Sequence, residues 1–519
     1  MQTDNKNYFY ITTPIYYVND IPHIGHAYTT IVCDTIARFM RWEGKKVRFL
    51  TGTDEHGQKV QKSAIDSSLS PQDFTNKVSK RFVNLTKEFN ISNDDFIRTT
   101  EERHKKAVLN LWNILQANGN IYLEKYSGWY SIRDEAFYTK DEIRENNNGE
   151  KIGPNGSVLE WVEEPSFFFK LSDWQDKLLK FYKNNPSFIS PKTRYNEVLS
   201  FVSNGLEDLS ISRTSFEWGI PVPHNTGHVI YVWLDALTNY ISALEYPDNK
   251  SNLWQNFWPA DVHVVGKDIL RFHAVYWPAF LMAAGLKPPK KIFAHGWWTV
   301  DGEKMSKSTG NVIDPFKIIK KYGLDQFKYF LLREMRFGKD GDFSEKALIN
   351  RINADLSNDF GNLVQRVLSF VYKNCKGEIP KPDKFLEVDN IILNEINLIK
   401  DKVIKFMNAY MPTDALEEIW NIIRKSNTYV DSQAPWVLKN DNINRMNTVL
   451  YVLLILIKKI ALLTQSFIPE GSDRILNQLS IPKEERGHQY FDKNLDYNTS
   501  IIAPSGIYPR IDDRKVEEG

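Results

Sequence analysis

Cysteine is nearly absent from this chain. Two residues in 519, Cys33 and Cys375, cannot build a disulfide framework or a thiolate metal cluster by themselves. That scarcity fits a reducing, cytoplasmic setting. An excess of charge of one sign is also lacking. Formal net charge is +1, from 66 Lys and Arg against 65 Asp and Glu. This excludes a highly basic coat dedicated to nucleic acid but leaves room for RNA binding through a local patch. The opening residues Met-Gln-Thr-Asp-Asn-Lys-Asn carry no apolar signal region and no arginine-rich transit pattern. The most apolar run, Val449 to Ile457, meets Lys458 and Lys459. It is too short to span a bilayer and reads as a core helix, so no membrane partner is expected.

What is present is apolar material for large cores. Hydrophobic residues make up 42% and aromatic residues 13%, which removes disorder as the default, and a length of 519 residues makes roughly three domains the expectation. Tyr8-Phe-Tyr-Ile-Thr-Thr13 is aromatic and β-branched, as a buried strand should be. Pro14 to Pro22 reads as a loop. Val32, Ile36, Phe39 and Met40 then recur at helical spacing, with Asp34, Arg38 and Arg41 turned elsewhere and Gly44 as the stop. Lys46-Val-Arg-Phe-Leu50 is the next strand. This alternation continues to about residue 115, as in one half of a Rossmann sheet.

The pattern then breaks. Short aromatic strands ("SGWYSIRDEAFYT", "VLEWVEEPSFFFKL") alternate with turn-rich pieces such as "ENNNGEKIGPNGS", as in a domain inserted into the sheet. Strand–helix alternation returns at Gly227 with "HVIYVWLDALTNYISAL" and "DVHVVGKDILRFHAVYWPAFLMAAG", and "KKIFAHGWWTV" reads as one further strand. After about Phe343 the chain turns helical: Ala347–Tyr372, Ile391–Ala409, Thr413–Lys425 and Ile443–Phe467 form a separate bundle, followed by a charged tail. The expected fold class is α/β, a Rossmann-type parallel sheet with an inserted connective domain, followed by an all-α bundle. Its expected divisions are 1–121, 122–223, 224–345 and 346–519.

Two stretches carry chemistry. Pro22-His-Ile-Gly-His26 stands at a helix entrance, on the carboxyl edge of the strands. Free N–H groups and a partial positive charge there suit phosphate, and a glycine lets a flat ring approach the backbone. The same two histidines also read as solvated or capping residues. The second stretch, "DGEKMSKSTGNVIDP", places Lys304 and Lys307 among small hydroxyl residues between Gly302 and Gly310, as in a flexible cationic loop that closes on a triphosphate. A lone lysine pair of this kind reads as a solvated loop.

Together, His23-Ile-Gly-His26 and Lys304-Met-Ser-Lys-Ser308, in this order and on these elements, resemble the two signatures of class I aminoacyl-tRNA synthetases. The resemblance implies His23, His26, Lys304 and Lys307 as catalytic groups, with Lys307 the main transition-state lysine. It implies ATP binding by Gly25 under the adenine, by Gly266 and Asp268 at the ribose, and by Lys307. Mg²⁺ accompanies ATP, with no dedicated metal site.

The likeness covers nearly the whole chain. "TTPIYYVNDIPHIGHAYT", "TGTDEHGQK", "YVWLDALTNY" and "GKDILRFHAVYWPAFL" resemble the methionyl-tRNA synthetase family. The implied methionine pocket is Ile15, Tyr17, Asp54, Trp233, Ala236, Leu237, Tyr240, Ile269, Phe272 and His273, with Asp54 on the α-ammonium. Read without the resemblance, Trp233, Tyr240 and Phe272 are core residues. The insert has no cysteine, so no structural zinc is expected and the zinc-free bacterial-type branch is implied. It is also too short for a large hydrolytic editing domain.

In "NADLSNDFGNLVQR", Asn358, Asn362 and Arg366 are four apart and line one helical face, and Trp436 follows Pro435. By spacing alone this is a polar face and a capping Pro-Trp. The resemblance assigns all four to the anticodon of tRNA(Met), initiator and elongator. It also implies a monomer, since the chain stops without the additional C-terminal domain of dimeric relatives.

Overall fold

A computed structural model describes residues 7–18, 22–134, 136–146, 148–300, 302–305 and 311–512. The chain divides into two compact units, Met1–Pro22 with Val47–His295, and His23–Lys46 with Gly296–Gly519.

The first unit is organised by a seven-stranded sheet. Strands β1 (Tyr8–Thr12), β2 (Tyr16–Tyr17), β3 (Lys46–Asp54) and β4 (Asp95–Arg98) come from the first part of the chain. Val262–Gly266, Ile292–His295 and Ile189–Ser190 complete it. The order is 189–190, 292–295, 262–266, β1, β3, β2, with β4 also on β3. Ladders such as Ile11↔Val262, Val264↔Phe293 and Leu50↔Asp95 are parallel. Strands buried on both faces need near-continuous apolar runs, which "YFYIT", "VHVV" and "IFAH" supply.

β3 runs past the expected Leu50 to Asp54, and this extension carries the chain to the functional edge. A Cβ on Gly52 would lie 2.1 Å from the Ile97 carbonyl oxygen, so glycine is what lets β4 lie so close. Helix Glu102–Ala117 then packs Val108, Leu111 and Trp112 into the core.

Within 122–223 the chain forms antiparallel structure, chiefly Ile121–Ser131 against Glu160–Phe169. Ile189–Ser190 departs from this by joining the parallel sheet, and Tyr182 and Val198 on either side of it share the sheet's core. Two expectations change here. Asn225–Ile230 is not a strand of the parallel sheet but the centre of a small antiparallel one, ahead of helices Val232–Leu237 and Asn239–Ser242. "KKIFAHGWWTV" is not one strand. Ile292–His295 ends in the parallel sheet, and Trp298–Val300 pairs with Glu303–Lys304 and Gly341–Phe343 in a separate one.

The second unit joins helix α1 (Ile24–Trp42) to the helical half. Gly44, at φ +90°, ends α1 as expected, because this backbone region disfavours any residue with a Cβ. The expected outward set is only partly outward. Asp34 is buried, and its carboxylate takes Arg38 Nε at 2.8 Å and Lys328 Nζ at 3.2 Å. Apolar periodicity missed this because α1 is covered nearly all round.

Two bundle helices are longer than their periodicity indicates, Glu387–Asn408 and Pro412–Gln433, while the third, Ile443–Thr464, stops short of the expected Phe467. The second continues past Lys425 because Ser426, Tyr429 and Val430 still face the interior, and it stops at Ala434, φ +40°. The expected Ala347–Tyr372 helix is composite: α-helical Glu345–Arg351, π-helical Ile352–Gly361, then α-helical Asn362–Asn374. The Ile443–Thr464 helix has the length and apolarity to cross a membrane, yet it is the buried core helix of this bundle. Lys458 is sealed with it, donating to the carbonyls of Tyr490 and Lys493.

The Asp34–Lys328 pair generates a stability prediction. Lys328→Met strips one of two cations from a buried carboxylate and should cost about 3–5 kcal/mol, read from urea midpoints. The double variant Asp34→Asn/Lys328→Met should recover much of that loss, because the buried carboxylate is removed with its lysine and the partly exposed Arg38 can turn to water.

Candidate active site

The site begins where β2 and β3 end together. Tyr17 is in register with Asp54, and the Val18 N–H donates to the Asp54 carbonyl at 3.1 Å. Asp54 is buried. The next residue, Glu55, is sealed and takes a two-pronged contact from Arg98 at 2.7 and 2.9 Å. Thr53 and Thr100 hydroxyls donate to the same carboxylate. Such saturation is what an interior carboxylate requires. His56 follows, with Nδ1 2.6 Å from Asp235 Oδ2, and His104 Nε2 sits 2.6 Å from Asp235 Oδ1. Burial pushes the Asp235 carboxyl up, but the two imidazoles outweigh it and bring its pKa down to about 2.

Aromatic rings gather beyond Asp235 in the chain. Trp233 and Phe272 are stacked with centroids 3.6 Å apart and planes 13° from parallel. His273 meets the Trp233 ring edge-on at 6.4 Å. Tyr240 stacks on His263 at 4.0 Å and its hydroxyl lies 2.7 Å from His273 Nε2. The Tyr10 hydroxyl ties the Tyr240 carbonyl to β1 at 2.8 Å. His273 Nδ1 is 2.9 Å from the Ile269 carbonyl, which can only accept. The ring proton is therefore on Nδ1, and Nε2 accepts from Tyr240. Burial lowers the His273 pKa to about 4, against opposing pulls from the Ile269 carbonyl and Asp268. The ring is neutral at neutral pH. Ala236 and Leu237 are buried beside these rings, and Ile15 and Ile269 pack against the same core.

The helix entrance has its own logic. His23 is the N-cap of α1, with Nδ1 accepting from the Gly25 N–H at 3.1 Å. His26 Nδ1 accepts from the His23 N–H, also at 3.1 Å. The two rings lie 4.0 Å apart. With both Nδ1 atoms accepting, the neutral rings carry their protons on Nε2, as donors. Burial, then His23, holds His26 well below the usual histidine pKa. A Cβ on Gly25 would lie 2.9 Å from His23 Cε1, so this capping geometry itself asks for glycine. Gly266 is similarly covered by Asp268, whose Oδ1 would be 2.4 Å from a Cβ there. Lys304 lies on strand Glu303–Lys304. Lys307 lies outside the described residues.

In the helical half, Arg366 and Trp436 come together, the guanidinium 5.4 Å from the ring centroid. Arg366 also donates to Asp431 at 2.7 Å. Val367, Phe370, Val430, Pro435 and Leu450 line the hollow beside them. Trp436 is 44% exposed, and the left-handed turn at Ala434 presents it. Asn358 and Asn362 are exposed, but Asn358 belongs to the π-helical segment, so a four-residue step no longer measures one α-helical face. Sequence reasoning missed Glu55, His56, Arg98, His104 and Asp235. The usable signal was a lone charge inside an apolar run for Asp235, "VWLDAL", and the run of acidic residues and histidine that follows a buried strand in "TGTDEHG".

Comparison with known proteins supplies the family. A family described as "tRNA synthetases class I (M)" matches residues 9–368. The sheet, the histidine-capped helix entrance and this match define a class I aminoacyl-tRNA synthetase. The "Anticodon binding domain of methionyl tRNA ligase" matches residues 379–518. The methionine–tRNA ligase of Rickettsia felis is 54% identical over 514 residues, covering 98% of this chain and 99% of its own. That of Brucella suis biovar 1 is 49% identical over 509 residues, 98% of each chain. Mycobacterium tuberculosis methionyl-tRNA synthetase, solved in complex with methionyl-adenylate, superimposes with a TM-score of 0.95 at 46% identity, covering 97% and 100% of the two chains. The chain belongs to the methionyl-tRNA synthetase family, the methionine–tRNA ligases.

Buried neutral histidines make the protein acid-sensitive. His273 has a folded pKa of about 4 against the ordinary 6.5, and His26 and His263 are also lowered, chiefly by burial. The unfolded chain takes up these protons first as pH falls. Stability is thus complete above pH 6.5 and declines toward pH 4. His273→Gln should flatten that decline by on the order of 2–3 kcal/mol, measured as urea midpoints across the range.

Proposed function

We propose that the chain activates L-methionine with ATP to methionyl-adenylate and pyrophosphate, then transfers methionine to the 3′ end of tRNA(Met), initiator and elongator alike. The observation that carries this reading is the neutral aromatic pocket that follows Asp54 and Asp235 in the fold. A thioether is apolar and polarisable, and sulfur on aromatic edges contributes about 0.3–1.5 kcal/mol per contact. The Trp233–Phe272 stack supplies flat walls. The Tyr240–His273 pair supplies polar atoms that already satisfy each other, so these two groups demand no hydrogen bond from an apolar side chain. Ile15, Tyr17, Ala236, Leu237 and Ile269 complete the slot, and Asp54 takes the α-ammonium.

Activation forms a bond between the methionine carboxylate and the α-phosphorus of ATP and breaks the bond to pyrophosphate. The protein's task is positioning and charge neutralisation. In this reading the Nε2–H groups of His23 and His26 bind phosphate oxygens, and Lys304 and Lys307 neutralise charge as pyrophosphate leaves. Gly25 accommodates adenine, and Gly266 and Asp268 hold the ribose. Mg²⁺ arrives with ATP as part of the substrate. Asn358, Asn362, Arg366 and Trp436 read the anticodon, where exposed rings and guanidinium groups engage unstacked bases. The enzyme works in the cytoplasm as a monomer, without structural zinc; residues 122–223 contain no cysteine.

ATP–pyrophosphate exchange against all twenty amino acids, without tRNA, tests the reading. Exchange with methionine alone is expected, reduced about 10²–10³-fold in Lys307→Ala. Exchange with another amino acid would overturn the pocket. Trp436→Ala should leave exchange intact and lower charging of tRNA(Met) about 5- to 100-fold, the worth of one stacked base. Undiminished charging would remove the anticodon role.

A further inference from the structure

Asp235 joins three separate parts of the first unit. His56 follows Asp54 at the end of β3. His104 comes from the Glu102–Ala117 helix. Asp235 itself lies in the Val232–Leu237 helix. All three side chains are buried, at 3%, 0% and 0% exposure for His56, His104 and Asp235. Both carboxylate oxygens are taken at 2.6 Å. The rings are themselves held. His104 Nδ1 is 3.0 Å from the Ser242 hydroxyl, and the His56 ring meets Trp218 edge-on at 5.5 Å. Trp218 Nε1 donates to the Glu55 carbonyl at 2.6 Å, which closes a loop around residues 55–56.

The placement along the Val232–Leu237 helix is informative. Trp233, Ala236 and Leu237 are related by steps of three and four and share one side. Asp235, two residues from Trp233, faces away from that side. Asp235 thus takes no place in the pocket; it sets the helix that makes one wall. His56 holds the same carboxylate and is two residues from Asp54, the group assigned to the α-ammonium.

We infer that the His56–Asp235–His104 cluster is a positioning device for methionine, setting the distance between the Asp54 carboxylate and the Trp233 ring. It rests on the reading of Asp54 and Trp233 as parts of the methionine pocket. An interior carboxylate with two short contacts is a stiff reference point. Loss of one contact leaves the buried charge undercompensated and is relieved by movement of the attached segments. A shift of about 1 Å in a binding group is enough to weaken engagement by one to two orders of magnitude. ATP does not depend on this distance, so the two substrates should separate.

The test uses the full chain, with methionine and ATP varied separately in pyrophosphate exchange and methionine binding measured directly by equilibrium dialysis. His56→Leu should raise KM and Kd for methionine about tenfold. KM for ATP and kcat should stay within about twofold. His56→Asn places an amide N–H close to the position of Nδ1, and should restore methionine KM to within about twofold of the parent. Asp54→Asn is the control for the underlying reading. If it leaves methionine binding unchanged, the pocket assignment fails and the inference falls with it. If Asp54→Asn weakens methionine but His56→Leu alters only kcat or the active fraction, the pocket stands and the positioning role is overturned. Equal loss in His56→Asn and His56→Leu overturns it as well. Should His56→Leu fail to fold, the isosteric Asp235→Asn is read by the same criteria.

Discussion

The first unit depends on one constraint, an ionised carboxylate sealed inside it. Asp235 is withdrawn from water, and its charge is tolerated because His56 and His104 both touch it at 2.6 Å. Neither histidine is near Asp235 in sequence. The penalty for breaking such a pairing is several kcal/mol, comparable to the whole stability of many domains. The three segments that meet there are therefore held together much more tightly than loops at a sheet edge usually are. Glu55 repeats the device one residue earlier, gripped by Arg98 and two threonine hydroxyls. Two adjacent anchors make the chain just beyond Asp54 rigid.

Against this charged frame, the aromatic pocket is neutral. His273 would carry charge near its ordinary pKa if it were exposed. Burial suppresses that, and the Ile269 carbonyl and Tyr240 hydroxyl fix its tautomer. The result is a neutral aromatic wall in which the Tyr240 hydroxyl and the His273 ring satisfy each other. The helix entrance at His23 uses the same residue type differently. There the backbone N–H groups occupy Nδ1, and the rings serve as N-terminal caps with Nε2–H donors. Histidine is acceptor-capped in one place and donor-presenting in the other, and the partner on Nδ1 decides which.

Much of the architecture was legible because it rests on local rules. Strands buried on both faces read as apolar runs, Gly44 ended α1, and the change to helical periodicity after Phe343 marked a bundle. The candidate site was readable only through the family resemblance that short stretches carry, since Trp233 and Phe272 taken alone read as core and His23 and His26 as solvated or capping residues. Errors arose where neighbours overrode local pattern. Asp34 looked solvent-facing but pairs with Lys328, nearly three hundred residues away. "KKIFAHGWWTV" looked continuous, yet its two halves pair in different sheets. A Cβ at Gly296 would lie 2.1 Å from the Lys339 carbonyl oxygen, a closeness no local reading reveals. The π-helical segment at Ile352–Gly361 changed the meaning of a four-residue spacing, because each π turn takes in an additional residue.

The sequence by itself determined the α/β class, the helical second half, the two signature stretches and, through them, the kind of reaction. Those features depend on residues adjacent or one turn apart, where sterics and periodicity act directly. The tertiary structure alone decided which charges are interior and what satisfies them. Asp235 with His56 and His104, Glu55 with Arg98, and Arg366 with Asp431 and Trp436 are pairings across long loops. Their energies come from desolvation and close contact, and both quantities exist only once distant segments have been brought together.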